Sequence, residues 1–174
     1  MKYFTLPGYG GSSAEHWQTY FEKSLPNCER IEQADWDKPN CEKWVKTLET
    51  KITACKDEEI ILIAHSLGCI TLAHWVNRFQ KKVKAALLVA PPDLENQNHG
   101  FQSFTPTPLD RLPFKTILVA SDNDPWSTKE QSEKLARNWG SRFILLENAG
   151  HVNADSGFGK WEQGIELVNE LSAD

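Results

Sequence analysis

The stretch IILIAHSLGCI, Ile60 to Ile70, decides how this chain folds. Its first five residues, Ile60 to Ala64, are apolar and rich in β-branched side chains, the composition of a strand buried on both faces of a sheet. From Leu67 the apolar residues fall at helical spacing and continue so to Phe79. The period changes within Ala64–His65–Ser66–Leu67–Gly68, so the strand must turn directly into the helix at Ser66. These residues match the nucleophile-elbow motif GxSxG with alanine in place of the first glycine. The motif needs small residues around a serine held in a sharp turn, because a neighbouring backbone packs there and a β-carbon would clash. Alanine is the smallest step away from glycine. A serine that opens a helix is also an ordinary N-cap, and the strand before it and the helix after it are what favour the elbow.

Outward from this turn the same alternation repeats. Tyr3–Leu6, Ala85–Ala90, Thr116–Ala120 and Phe143–Leu146 read as further buried strands, with a weaker one near Arg30–Gln33. Between them Ala14–Ser24, Glu42–Cys55, Lys129–Trp139 and Gly159–Leu171 fit helical spacing. Strand and helix in regular alternation predict right-handed crossovers and a mostly parallel sheet with helices on both faces. A chain of 174 residues with 40% hydrophobic side chains can bury one sizeable core, so a single domain over residues 1–174 is expected. The irregular stretch from Pro91 to Phe114 is long enough to be either a substrate loop or a surface excursion.

In parallel sheets the reactive groups gather at the carboxyl ends of strands. After Phe143–Leu146 comes Glu147–Asn148–Ala149–Gly150–His151, whose small residues let a short loop carry an imidazole back over the sheet. His151 is the expected base, since His16, His74 and His99 follow no strand as directly. After Thr116–Ala120 comes Ser121–Asp122–Asn123–Asp124–Pro125–Trp126, where a carboxylate can accept the second imidazole proton and fix its tautomer. Asp124 or Asp122 could serve; Asp124 is preferred because Pro125 stiffens the backbone behind it. The order Ser66, Asp124, His151 is that of α/β-hydrolases and differs from the chymotrypsin and subtilisin orders.

Such a nucleophile needs backbone donors for the oxyanion that forms. The amide of Leu67, directly after the serine, is one. Leu6–Pro7–Gly8–Tyr9–Gly10–Gly11–Ser12–Ser13, after the first strand, can supply the other, most naturally the amide of Tyr9. This run lacks the lysine of a phosphate-binding loop and the spacing of a dinucleotide-binding one. Gly8, His65 and Trp126 are candidates for lining the substrate site, His65 because neighbours at so tight a turn point apart and it cannot pair with Ser66. Cys69, one turn into the helix, reads as a small buried side chain and not as a nucleophile.

Composition limits the remaining possibilities. A net charge of −5 without blocks offers no footprint for nucleic acid, and the lysines at 81, 82 and 84 read as solvating a helix end. No leader-like segment and no bilayer-length apolar run is present, and Cys28, Cys41, Cys55 and Cys69 lack disulfide or metal spacing. The expectations are a cytoplasmic protein without metal, cofactor, nucleic-acid or membrane partner; a protein partner is possible but not indicated.

Gly8–Trp17 (GYGGSSAEHW), Asp35–Pro39 (DWDKP), Ala64–Gly68, Asp124–Pro125, Trp139–Gly140–Ser141 and Ala149–Gly150–His151 together resemble the small serine hydrolases grouped with bacterial YdeN and the retinoblastoma-binding-protein-nine proteins. The resemblance covers nearly the whole chain. It implies a compact three-layer α/β-hydrolase fold without a large cap domain, a triad on Ser66, Asp124 and His151, and a Pro91–Phe114 loop that is a reduced version of the usual cap. The expected activity is cleavage of a small ester or related acyl substrate through an acyl-enzyme. Amide or thioester hydrolysis and acyl transfer would use the same triad, and a binding or scaffold protein on the same fold is the alternative of a different class.

Overall fold

The structure, a computed structural model, describes residues 1–56, 59–95 and 100–173. The chain alternates β1 (Lys2–Leu6), α1 (Trp17–Ser24), β2 (Cys28–Arg30), α2 (Cys41–Ala54), β3 (Ile60–His65), α3 (Leu67–Phe79), β4 (Ala85–Val89), β5 (Lys115–Ser121), α4 (Lys129–Trp139), β6 (Arg142–Leu146) and α5 (Glu162–Ala173). Among the described residues the strands form one sheet of six in the order β2-β1-β3-β4-β5-β6, and every pairing is parallel. This is the compact α/β-hydrolase architecture.

Alternate residues along each strand divide between two cores. Phe4, Leu62, Ala64, Leu88 and Leu118 face the layer of α2, α3 and α4. Ile61, Ile63, Leu87, Val89 and Val119 face that of α1 and α5. Because both faces are covered, the central strands can be apolar at every position, which is why they read as continuous runs. The strand order reverses between β1 and β3: β1 is followed by β2 on one side and pairs with β3 on the other. Such a switch point opens a crevice at the carboxyl ends of the strands, and here β1 leads to the glycine-rich loop and β3 to Ser66.

Three elements have a boundary three residues from the expected one, and the other differences are of one or two residues. The second strand is Cys28–Arg30 and not Arg30–Gln33. It is an edge strand whose three residues are all half-buried, so it lacks the apolar run that marks the others; the chain keeps its register to Ile31, whose amide donates to the Thr5 carbonyl, and then leaves the sheet. α1 starts at Trp17 and not at Ala14, because the His16 side chain caps it through Nδ1, which accepts from the Gln18 amide at 3.2 Å. α5 starts at Glu162 and not at Gly159; turn hydrogen bonds from the Gly159 and Trp161 amides to the carbonyls of Gly157 and Gly159 occupy the preceding residues. Between β4 and β5 the described residues hold one short helical turn, Gln102–Phe104, and no cap domain. Phe104 is fully buried there, and the Trp139 indole donates to the Pro108 carbonyl at 2.8 Å, so this part of the loop is tied to the α2–α4 layer.

The tightest junction lies where β1 meets the start of α3. A Cβ on Gly68 would stand 2.2 Å from the Leu6 carbonyl oxygen and 2.9 Å from its carbon, both backbone atoms that cannot swing aside. Gly68→Ala should therefore destabilise the fold by about 3 kcal/mol or more, as overpacking of a rigid contact does. Urea unfolding measures it, and unchanged stability would mean that the two backbones are not in rigid contact.

On the other face of the sheet, Trp17 is fully buried and its indole donates to the Val152 carbonyl at 2.8 Å. His16 and His65 pack beside it with ring centroids 4.8 Å apart. Burial above all, then the charges of Arg30 and His151, hold the His16 pKa down to about 4 from the ordinary 6.5. Burial, with His151 and His16 close by, holds His65 well below its ordinary value too. The unfolded chain thus takes up protons on both rings below pH 6.5 while the folded one does not. Their contribution is complete above pH 6.5 and is lost as pH falls. His16→Asn, which keeps a capping side chain, should lose roughly 2 kcal/mol less stability than the wild type between pH 7.5 and 5.0. Equal losses in the two proteins would contradict the neutral, buried state of His16.

Candidate active site

Ser66 sits between β3 and α3 with φ 53° and ψ −124°, a conformation that a residue with a β-carbon rarely adopts. Its amide donates to the Val89 carbonyl at 2.9 Å, which fixes the turn to the end of β4. The loop after β1 presses against the same turn. A Cβ on Gly8 would lie 2.7 Å from Ser66 Cβ and 3.1 Å from the Leu67 nitrogen, so only glycine lets the two backbones come so close.

Around this serine the fold assembles a continuous chain of hydrogen bonds. His151 Nε2 is 2.9 Å from Ser66 Oγ, and His151 Nδ1 is 2.9 and 3.0 Å from the two oxygens of Asp124. With the imidazole proton on Nδ1, that nitrogen donates to Asp124 and Nε2 is left to accept from the serine hydroxyl. The Asp124 side chain is 2% exposed, and its Oδ1 also accepts from the Trp126 amide at 2.9 Å. Asp122, the other carboxylate weighed from sequence, instead accepts from the Asn148 amide at 2.7 Å.

The turn after β5 positions the loop that follows β6. Besides Asp122, Ser121 Oγ accepts from the Ala149 amide at 3.0 Å and Asn123 Oδ1 from the Gly150 amide at 2.7 Å. Three successive side chains thus hold three successive amides just ahead of His151. Its own backbone is held from the other side, where the carbonyl accepts from His65 Nε2 at 3.0 Å and the amide donates to Ser156 Oγ at 3.2 Å. Val152 has φ 48°, an outlier for a β-branched residue, and it is here that the Trp17 indole anchors the chain. Ser121, Asn123 and Ser156 were not among the residues singled out from sequence; the run of short polar residues at the β5 end was a signal for the first two alone.

Ser66 and His151 open into a cleft of about 390 Å³, at the small end of the range for ligand sites. The rings of Tyr9, Phe101 and Trp126 line it, and Ser13, His16, Asn153 and Asp155 contribute polar groups. His65 and Trp126, both candidates from sequence, line it, as does Phe101 from the 91–114 stretch; His16 and the Asn153–Asp155 turn were not among the candidates. Gly8 stands against Ser66 through its backbone. Among the described residues the amides of Tyr9 and Leu67 have no protein acceptor. Cys69 is fully buried, its thiol lies 3.5 Å from the Val89 carbonyl, and burial pushes its pKa far up, so it does not share the site. His74 lies elsewhere, with Nε2 2.8 Å from the Phe104 carbonyl, and His99 is outside the described residues. Among the described residues no group of three His, Cys, Asp or Glu side chains could hold a metal ion, and no helix is long and apolar enough to cross a membrane.

Known proteins show the same arrangement of chain. The hydrolase YdeN of Bacillus subtilis (strain 168) is 25% identical over 167 residues, covering 89% of this chain and 87% of its own. The crystal structure of the YdeN-like hydrolase from Pectobacterium atrosepticum superposes with a TM-score of 0.86 at 30% identity, over 99% of this chain and 90% of the other. Est1E from Butyrivibrio proteoclasticus, at 12% identity and a TM-score of 0.71 over 99% of this chain and 88% of its own, shares the fold alone. The family described as serine hydrolase matches residues 3–170. The chain belongs to this serine hydrolase family.

Proposed function

We propose that this hydrolase cleaves small esters through an acyl-enzyme on Ser66, with His151 as base and Asp124 as the orienting acid. The observation that carries the reading is the unbroken chain of hydrogen bonds from Asp124 through His151 to Ser66. Serine Oγ attacks the carbonyl carbon as its proton passes to His151 Nε2, and the imidazolium is stabilised by the Asp124 carboxylate. The tetrahedral oxyanion is met by the amides of Leu67 and Tyr9, which have no protein acceptor among the described residues. The imidazolium then gives its proton to the leaving alkoxide as the ester bond breaks. Water, deprotonated by the same His151, attacks the acyl-enzyme, and the serine recovers its proton as the acid departs. The cleft of about 390 Å³ suits a substrate of small-molecule size.

Short-chain nitrophenyl esters test the assignment. Ser66→Ala should lower kcat/KM by about 10⁴ or more, and Asp124→Asn by about 10⁴, because asparagine favours the imidazole tautomer that cannot serve as base. Asp122→Asn should lower it by less than about 10-fold, since an asparagine oxygen can still accept from the Asn148 amide. Full activity in Ser66→Ala would refute the role of Ser66, and equal losses at positions 122 and 124 would refute that of Asp124.

A further inference from the structure

Tyr9 is 50% exposed, one of few large hydrophobic side chains so placed among the described residues. It is not isolated. Its ring centroid lies 5.4 Å from that of Phe101, Phe101 lies 6.3 Å from Trp126, and Trp126 lies 5.9 Å from the ring of His151. Three rings from three separate loops, those following β1, β4 and β5, therefore form a line from the base to the loop that carries the Tyr9 amide. All three face the cleft that contains Ser66. The rest of the cleft lining includes the polar side chains of Ser13, His16, Asn153 and Asp155.

The lining therefore combines a contiguous aromatic line, which reaches the ring of His151, with polar side chains. An ester held at Ser66 has one arm on each side of its carbonyl-to-oxygen bond. Aromatic faces at the centroid spacings seen in this cleft favour another ring over a saturated chain of equal size, through offset or edge-to-face contact beyond plain area burial. We infer that the Tyr9–Phe101–Trp126 line is a binding subsite for an aromatic ring on one arm of the substrate, making the substrates of this enzyme aryl-bearing esters. The inference rests on the proposed role of Ser66.

Four esters distinguish which arm carries the ring. Ethyl 3-phenylpropanoate and ethyl 3-cyclohexylpropanoate place an aromatic or saturated ring on the acyl arm; benzyl acetate and cyclohexylmethyl acetate place it on the alcohol arm. For one of the pairs, kcat/KM should favour the aromatic member by about 5-fold or more. In Phe101→Leu and in Tyr9→Leu, which keep apolar bulk, that ratio should fall toward one. A general loss of folded enzyme would lower both members equally and leave the ratio intact, so the ratio reports the subsite alone. Ratios near one for both pairs in the wild type overturn the inference, as does a ratio that survives both substitutions or an enzyme that turns over none of the four. Each ester is also assayed with Ser66→Ala. Hydrolysis that persists there means the proposed role of Ser66 has failed, whereas Ser66-dependent hydrolysis without ring preference means that only the subsite has.

Discussion

The structure depends on a reversal of the chain at one residue. Between His65 and Leu67 a buried strand ends and a buried helix begins with no intervening loop, which forces Ser66 to φ 53°. That geometry persists only because its surroundings leave no alternative. Gly68 lies against the Leu6 carbonyl, Gly8 lies against Ser66 itself, and the Ser66 amide is tied to Val89. The end of β1, the start of α3 and the end of β4 thus meet at one point. Because the strained residue stands at the switch point of the sheet, its hydroxyl projects into the crevice that the strand order creates, and the sheet's topology and the serine's exposure have a common cause.

The second half of the site solves a different problem. An imidazole must be brought over the sheet on a loop, and loops are ordinarily the least constrained part of a fold. Here the loop is held by side chains of its neighbour: Ser121, Asp122 and Asn123 accept from the amides at 149, 148 and 150. The Trp17 indole and the His65 ring hold the carbonyls of Val152 and His151. Burial keeps His65 neutral, and the proton on its Nε2 is donated to the His151 carbonyl. Among the described residues Asp124 accepts from His151 and one local amide, whereas Asp122, two positions earlier, is spent on the Asn148 backbone.

Much of this is legible in the sequence, for identifiable reasons. α3 and α4 end where expected, α4 because Thr128 caps its start and Gly140, at φ 73°, closes its end. The central strands are legible because burial on both faces leaves continuous apolar runs. β2 is not, since an edge strand of half-buried residues has neither an apolar run nor a clean alternation. The start of α1 is hidden because its cap is a histidine, which lies outside the usual Ser, Thr, Asp and Asn preference. In the site, Ser66, His151 and the carboxylates are readable because each follows a strand directly. The preference for Asp124 over Asp122 rests in sequence on Pro125 alone, because both positions have turn chemistry; in the structure the path of the next loop separates them. Phe101 is legible only as part of the 91–114 stretch, because a residue in an irregular segment carries no period; the neighbouring turn Gln102–Phe104 is anchored by the buried Phe104.

Everything proposed for the site requires that His151 make Ser66 a nucleophile. Reaction of the purified protein with a fluorophosphonate, followed by peptide mass spectrometry, tests this without any assumption about substrate. The expected result is a single adduct on Ser66 that is lost in His151→Ala while that variant remains folded. An adduct on a different side chain, undiminished labelling in His151→Ala, or no reaction of the folded wild type would contradict it.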